Sequence, residues 1–346
     1  MAAPTKLPPR PTTGTTVETR TLSGVDYTLQ GVSNKRIVFT PGTVATRLLL
    51  QGCRNTEIDL TGVVFDNPRY NALKLTGGNA DLVIKGLNVR RAQEVGVLST
   101  GGNERVWFLD PLIGPCGEGG TEPPEQRHGM YVGSRGVDID FVIANPRIGP
   151  QKYGYGIQLY ENAVRTIITG GLIETPGYAG ARSDVGIGVL VGASSIDCLL
   201  VNTVGVNNRA GLAAGGSLSQ QGALTVKNCG QVGGGSYPDG QPGAVVGTWP
   251  KLAKPSDLVI DPDWVVGGTT PPPPDPCESV KASLATCNAT LTATEDALVT
   301  CTDSVEDARA LLRKQINEVW RTQEKRSWPW IKKQPAWEAF VRLGGS

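Results

Sequence analysis

The stretch GIQLYENAVRTIIT at residues 156–169 decides the fold, because four other segments align with it without a gap. They are ALKLTGGNADLVIK at 72–85, GVLSTGGNERVWFL at 96–109, GMYVGSRGVDIDFV at 129–142 and GVLVGASSIDCLLV at 188–201, and a fainter copy begins at Gly211. The starts are separated by 24, 33, 27, 32 and 23 residues. A constant minimum with a variable excess is what a fixed circuit of chain carrying loops of different length produces.

With each start counted as zero, position 1 reads Leu73, Val97, Met130, Ile157 and Val189, and position 3 reads Leu75, Ser99, Val132, Leu159 and Val191. Position 10 reads Leu82, Val106, Ile139, Thr166 and Cys198, and position 12 reads Ile84, Phe108, Phe141, Ile168 and Leu200. Apolar residues at every second place mark two short strands per circuit, each with one face inward. Such strands bury no core singly, whereas stacking at about 4.8 Å makes a continuous one. The same alternation in Arg36–Phe39, Arg47–Gln51 and Glu57–Leu60 carries the stack upstream. The expected layout is an extended Pro- and Thr-rich arm over 1–24 and the stack with its terminal loops over 25–265.

This pattern resembles the right-handed parallel β-helix family, which includes pectate lyases and phage tailspikes. The resemblance covers about residues 25–235 and implies an all-β, right-handed, single-stranded parallel β-helix. It implies no activity by itself, since the fold hosts lyases, hydrolases and inert spikes alike.

Two outward positions stand out. Position 9 reads Asp81, Arg105, Asp138, Arg165 and Asp197, a charge ladder of alternating sign in which neighbours attract. A row of polar groups for gripping a sugar and a solvated ladder that fixes register are its two readings, and the second is preferred. Position 11 reads Val83, Trp107, Asp140, Ile167 and Leu199, mostly apolar where solvent is expected. Either another segment or subunit covers this row, or a kink turns it inward.

Residues 266–276 are a Gly- and Pro-rich linker, GGTTPPPPDP at its centre, stiff in the polyproline II form. A heptad follows over 277–320. Its seam is Cys277, Val280, Leu284, Cys287, Leu291, Thr294, Leu298, Cys301, Val305, Ala308, Leu312, Gln315 and Val319, the pattern of a coiled coil. Acids dominate its first half and bases the rest, which matches the helix dipole. Self-association as dimer or trimer is expected, with a helix folded on its own β-domain as the alternative. The seam cysteines are either interchain disulfides or reduced core fillers. The tail over 321–346, with Trp320 just before it, carries Trp328, Trp330 and Trp337 among prolines and lysines. Such rings suit docking into a protein partner, with membrane-surface binding and self-packing as competitors.

Lys plus Arg is 33 and Asp plus Glu 32, so no bulk charge points to nucleic acid or an anionic membrane. No apolar run is long enough to span a bilayer or serve as a secretory signal, which leads to the expectation of cytosolic synthesis. Seven cysteines without a Cys-x-x-Cys pair, and a lone histidine, His128, give no zinc pattern, and no metal or cofactor is expected. His128 opens a repeat and is read as lining a turn. The best catalytic alternative is a pair of acids, Asp138 and Asp140, two apart in a strand and so roughly 6–7 Å apart on one face, with Glu161, Glu174 and Asp184 on later circuits to join them. Nearby Arg105 and Arg165 would hold such acids ionised.

A β-helix, a coiled coil and a tryptophan-rich end together suit a structural component of a bacteriophage virion: spike, fibre or head-decoration protein. Its expected partners are its own copies, other virion proteins and host-surface polysaccharide. The rivals are a polysaccharide-cleaving tailspike and a secreted adhesin.

Overall fold

The structure, a computed structural model, describes residues 3–119, 123, 126–237 and 240–266, and farther on Ala310, Arg313 and Lys314, of which Ala310, Arg313 and Lys314 are helical. The chain divides into two compact units, Met1–Asp275 and Pro276–Ser346. The seam positions Val280, Leu284, Cys287, Leu291, Leu298, Cys301, Val305, Leu312 and Val319, and the rings of Trp320, Trp328, Trp330 and Trp337, lie outside the described residues.

Among the described residues the first unit is built from three sheets of twelve, nine and eight strands, and every pairing is parallel. The chain visits them in rotation. Arg47–Gln51 lies in the eight-stranded sheet, Arg54–Asp59 in the twelve-stranded and Val63–Asp66 in the nine-stranded; Asn71–Thr76 then returns to the eight-stranded sheet one place along. This arrangement is compatible with a parallel β-helix. It corrects the expectation of two strands per circuit to three. The third strand is as short as Leu112–Ile113 or Arg147–Ile148, too short for alternation to announce it. The stack also begins inside the expected arm, because Thr16–Arg20 pairs with Lys35–Phe39.

Parallel neighbours put like-numbered residues in columns. Leu73, Val97, Met130, Ile157 and Val189 are successive register partners and fully buried. One apolar core runs from Leu22 to Cys229. Each buried aliphatic side chain in it contributes about 1.5–3 kcal/mol. The glycine that opens four of the copies has a steric cause. A Cβ on Gly156 would stand 2.4 Å from Ile173 Cγ2 and 2.6 Å from the Gly188 carbonyl, and Gly129 meets Ile148 and the Gly156 carbonyl at 2.6 Å in the same way. At this corner the strand crosses close over the isoleucine of the nine-stranded sheet.

The second strand of the third copy is out of step with the gapless alignment. Val97 pairs with Met130, 33 residues on, but Trp107 pairs with Val142, 35 residues on. The turn Gly133–Val137 therefore holds two extra residues. A two-residue slip leaves Asp140, Phe141 and Val142 on the faces their alternation assigns and carries Asp138 across, from the outer file to the interior, which is why the hydrophobic pattern does not reveal it. The outer file therefore runs Asp81, Arg105, Asp140, Arg165, Asp197, and Asp138 is removed from it. All five have positive φ, between 50° and 59°, and Asn55 and Asn34, one and two circuits before Asp81, have positive φ of 47° and 55°. The file is a column of left-handed corners that opens with an asparagine pair, Asn55 Nδ2 donating to Asn34 Oδ1 at 3.1 Å, and continues as charges.

The slip also replaces Asp140 by Val142 in the other outward row, which becomes Val83, Trp107, Val142, Ile167 and Leu199, all buried. These residues form a cluster apart from the core, closed by Trp264 and flanked by Leu7 and Val266. Of the alternatives, the covering segment is the observed one. Residues 255–266 fold back over the outside of the twelve-stranded sheet. Thr169 Oγ1 donates to the Trp264 carbonyl at 2.5 Å, Asn202 Nδ2 to the Asp261 carbonyl at 2.8 Å and Asn228 Nδ2 to the Val259 carbonyl at 2.8 Å.

Candidate functional site

The outward face of the eight-stranded sheet carries Lys74, Leu98, Tyr131, Gln158 and Leu190 as successive register partners. They occupy position 2 of the repeat. Over this column lie two cavities that share Gln126 and Tyr131, one of about 550 Å³ and one of about 450 Å³. The walls come from the long connections that cause the 33- and 32-residue spacings. The segment ending at His128 supplies Gln126, and the segment 175–187 supplies Arg182 and Asp184.

The larger cavity is lined by His128, Tyr131, Tyr155, Gln158, Tyr160, Arg182, Asp184 and Tyr237, among others. His128 is 1% exposed and stacks on Tyr155 with centroids 4.9 Å apart and planes 10° from parallel. Its Nδ1 accepts the Tyr155 backbone N–H at 3.2 Å, and burial lowers its pKa to about 3. The ring is therefore neutral with its proton on Nε2. The Tyr155 hydroxyl donates to Asp184 Oδ2 at 3.1 Å, and Arg182 Nη2 meets the same oxygen at 3.0 Å. Burial pushes the Tyr131 phenol up to about 12 and the Tyr155 phenol higher still, so both stay protonated. Two buried acceptors in this wall, Gln158 Oε1 and Asp184 Oδ1, have no hydrogen-bond partner among the described residues. Gln158 is only 7% exposed, so its orphan oxygen is costly unless a ligand or water donates to it.

The smaller cavity is lined by Arg47, Tyr70, Lys74, Glu94, Arg135 and Glu161, among others. Arg47 clasps Asp26 through two hydrogen bonds of 2.9 and 2.8 Å, and its guanidinium lies 5.5 Å from the Tyr70 ring centroid. Glu161 accepts the Arg135 backbone N–H at 2.7 Å. Lys74 has no ion-pair partner among the described residues.

The acids nominated for catalysis are not brought together. Asp138 is fully buried inside the stack, accepting from Asn103 N at 3.2 Å, Asn103 Nδ2 at 2.9 Å and Gly133 N at 2.8 Å. It ends an interior polar file in which Asn79 Nδ2 donates to Asn103 Oδ1 at 2.7 Å. Desolvation raises its pKa, and these hydrogen bonds oppose that. Asp140 sits at an outer corner of the twelve-stranded sheet with Arg165, and of the three only Glu161 borders the groove. Among the described residues no three His, Cys, Asp or Glu side chains gather as a metal set.

The groove residues were not singled out beforehand, apart from His128, Glu161 and Asp184. The available signal was position 2, where Tyr131 and Gln158 alternate with the inward residues. Buried tyrosine faces, orphaned acceptors and a neutral imidazole suit a ligand with apolar C–H faces and many hydroxyl donors. Comparison with protein-family models, with curated proteins and with solved structures finds no match to this chain.

Proposed function

We propose that this chain is a structural component of a bacteriophage virion, a right-handed parallel β-helix that projects from the particle and contacts host-surface polysaccharide. Self-association through 277–320 and docking on other virion proteins through the tryptophans of 321–346 complete the reading. The observation that carries it is the build of the first unit: a long parallel stack with files of paired side chains both inside and outside, which is a rigid scaffold presenting one tyrosine-lined face. Immunogold microscopy of particles from a lysate containing the chain tests it. Gold on projecting structures is expected, and gold confined to free protein overturns it.

Binding of the polysaccharide is favoured over its cleavage by the scattering of Asp138, Asp140 and Glu161. A glycosidase sets two carboxyl groups about 5–9.5 Å apart across one bond, whereas Asp138 is enclosed and Asp140 is held by an arginine. A reducing-sugar assay on host capsule or lipopolysaccharide separates the two: no release of reducing ends is expected.

A further inference from the structure

We propose that the groove recognises a polysaccharide repeat in which a carboxylate-bearing sugar adjoins a neutral one, the carboxylate seated against Lys74 and Arg135 and the neutral sugar over Tyr131, Gln158 and Asp184. The inference rests on the polysaccharide reading above and specifies its chemistry.

The two cavities differ in what they lack. In the larger one two acceptors lack a donor. Gln158 Oε1 and Asp184 Oδ1 are buried without hydrogen-bond partners among the described residues, and the charge of Asp184 is already met by Arg182. An anion there would face two acceptors, while a sugar hydroxyl satisfies them. In the smaller one, which Glu94 and Glu161 also line, no carboxylate pairs with Lys74 among the described residues. Lys74 is half-buried and unpaired among the described residues, and it feels Arg47 and Arg135 more strongly than Asp26. Burial and these like charges together lower the lysine's pKa. A bound carboxylate relieves both effects, since it supplies the counter-charge that Lys74 lacks. Glu94 and Glu161 on the same wall limit the fit to a single carboxylate rather than a densely sulfated or phosphorylated chain. Tyr131 lines both cavities, so adjacent sugars of one chain can occupy them together.

The test is isothermal titration of the full chain at low salt with hyaluronan oligosaccharides, in which glucuronate alternates with an N-acetylated neutral sugar, and with the same oligosaccharides after carboxyl reduction. Wild type should prefer the acidic form by about tenfold or more, the scale of one charged hydrogen bond. Lys74→Gln should abolish the preference, Lys74→Arg should keep it, and Tyr131→Ala should weaken both forms. Equal binding of the two forms by wild type, or a preference that survives Lys74→Gln, overturns this inference and leaves the polysaccharide reading standing. Absence of binding to either form, or binding untouched by Tyr131→Ala, overturns both.

Discussion

Arg165 clasps Asp140 one circuit away through Nε to Oδ1 at 2.6 Å and Nη2 to Oδ2 at 2.8 Å, repeating the clasp of Arg105 on Asp81 at 2.6 and 2.9 Å. Asp138, two residues before Asp140, instead accepts three hydrogen bonds in the interior. The two acids should therefore respond unequally to removal. Asp140→Asn breaks a partly exposed pair and should cost no more than about 1 kcal/mol. Asp138→Ala strands three buried donors and should cost about 3 kcal/mol or more. Urea denaturation of both variants checks the contrast, and equal losses would return Asp138 to the surface.

A pH dependence follows from His128. The unfolded imidazole takes a proton near pH 6.5, while the folded one resists to about 3. The unfolded state thus binds more protons between those values, so stability is full above about 6.5 and falls as pH drops through that window. The slope from this group approaches about 1.4 kcal/mol per pH unit. His128→Gln should flatten the decline in urea midpoint between pH 7.5 and 5, relative to wild type. Parallel declines in the two proteins would refute the assignment.

The cover over the outer apolar row gives a third expectation. Trp264 is 2% exposed and has Lys227 Nζ 5.7 Å from its ring centroid. Trp264→Ala should cost about 3–5 kcal/mol. It should also open the segment 255–266 to limited proteolysis while Met130 and Ile157 in the core remain protected from hydrogen exchange.

Thiol chemistry separates the two units. Cys53, Cys116, Cys198 and Cys229 are free and buried, and burial raises the last three to about 12. These four should resist a thiol reagent in the native chain, leaving at most the other three of the seven, Cys277, Cys287 and Cys301, to react. Reaction of more than three before denaturation would contradict the burial.

A chain ending at Pro274 is expected to fold and to lose self-association. Sedimentation showing the same oligomer with and without residues 277–346 would refute the coiled-coil proposal.

Columns such as Leu73, Val97, Met130, Ile157 and Val189 were legible because an inward face in a parallel stack must repeat as apolar residues at a fixed position. The change of register at Gly133–Val137 was not, since a slip of two preserves the alternation on which the alignment relies. The sequence placed Asp138 outside only because Asp140 shares its parity. The groove was half legible. Tyr131 and Gln158 stand in a readable column, but His128, Arg182 and Asp184 reach it from connections whose path no periodicity encodes. The cover by Trp264 joins residues 95 apart through its bond with Thr169, a separation over which sequence pattern carries no information.

The strap over 255–266 also determines how tension on the tail enters the stack. A pull beyond Val266 reaches the chain through Trp264, whose carbonyl is tied to Thr169, and then through Asp261 and Val259, tied to Asn202 and Asn228. The force is spread as shear across several inner circuits, and the final strand, Lys251–Leu252, is spared from being peeled away first.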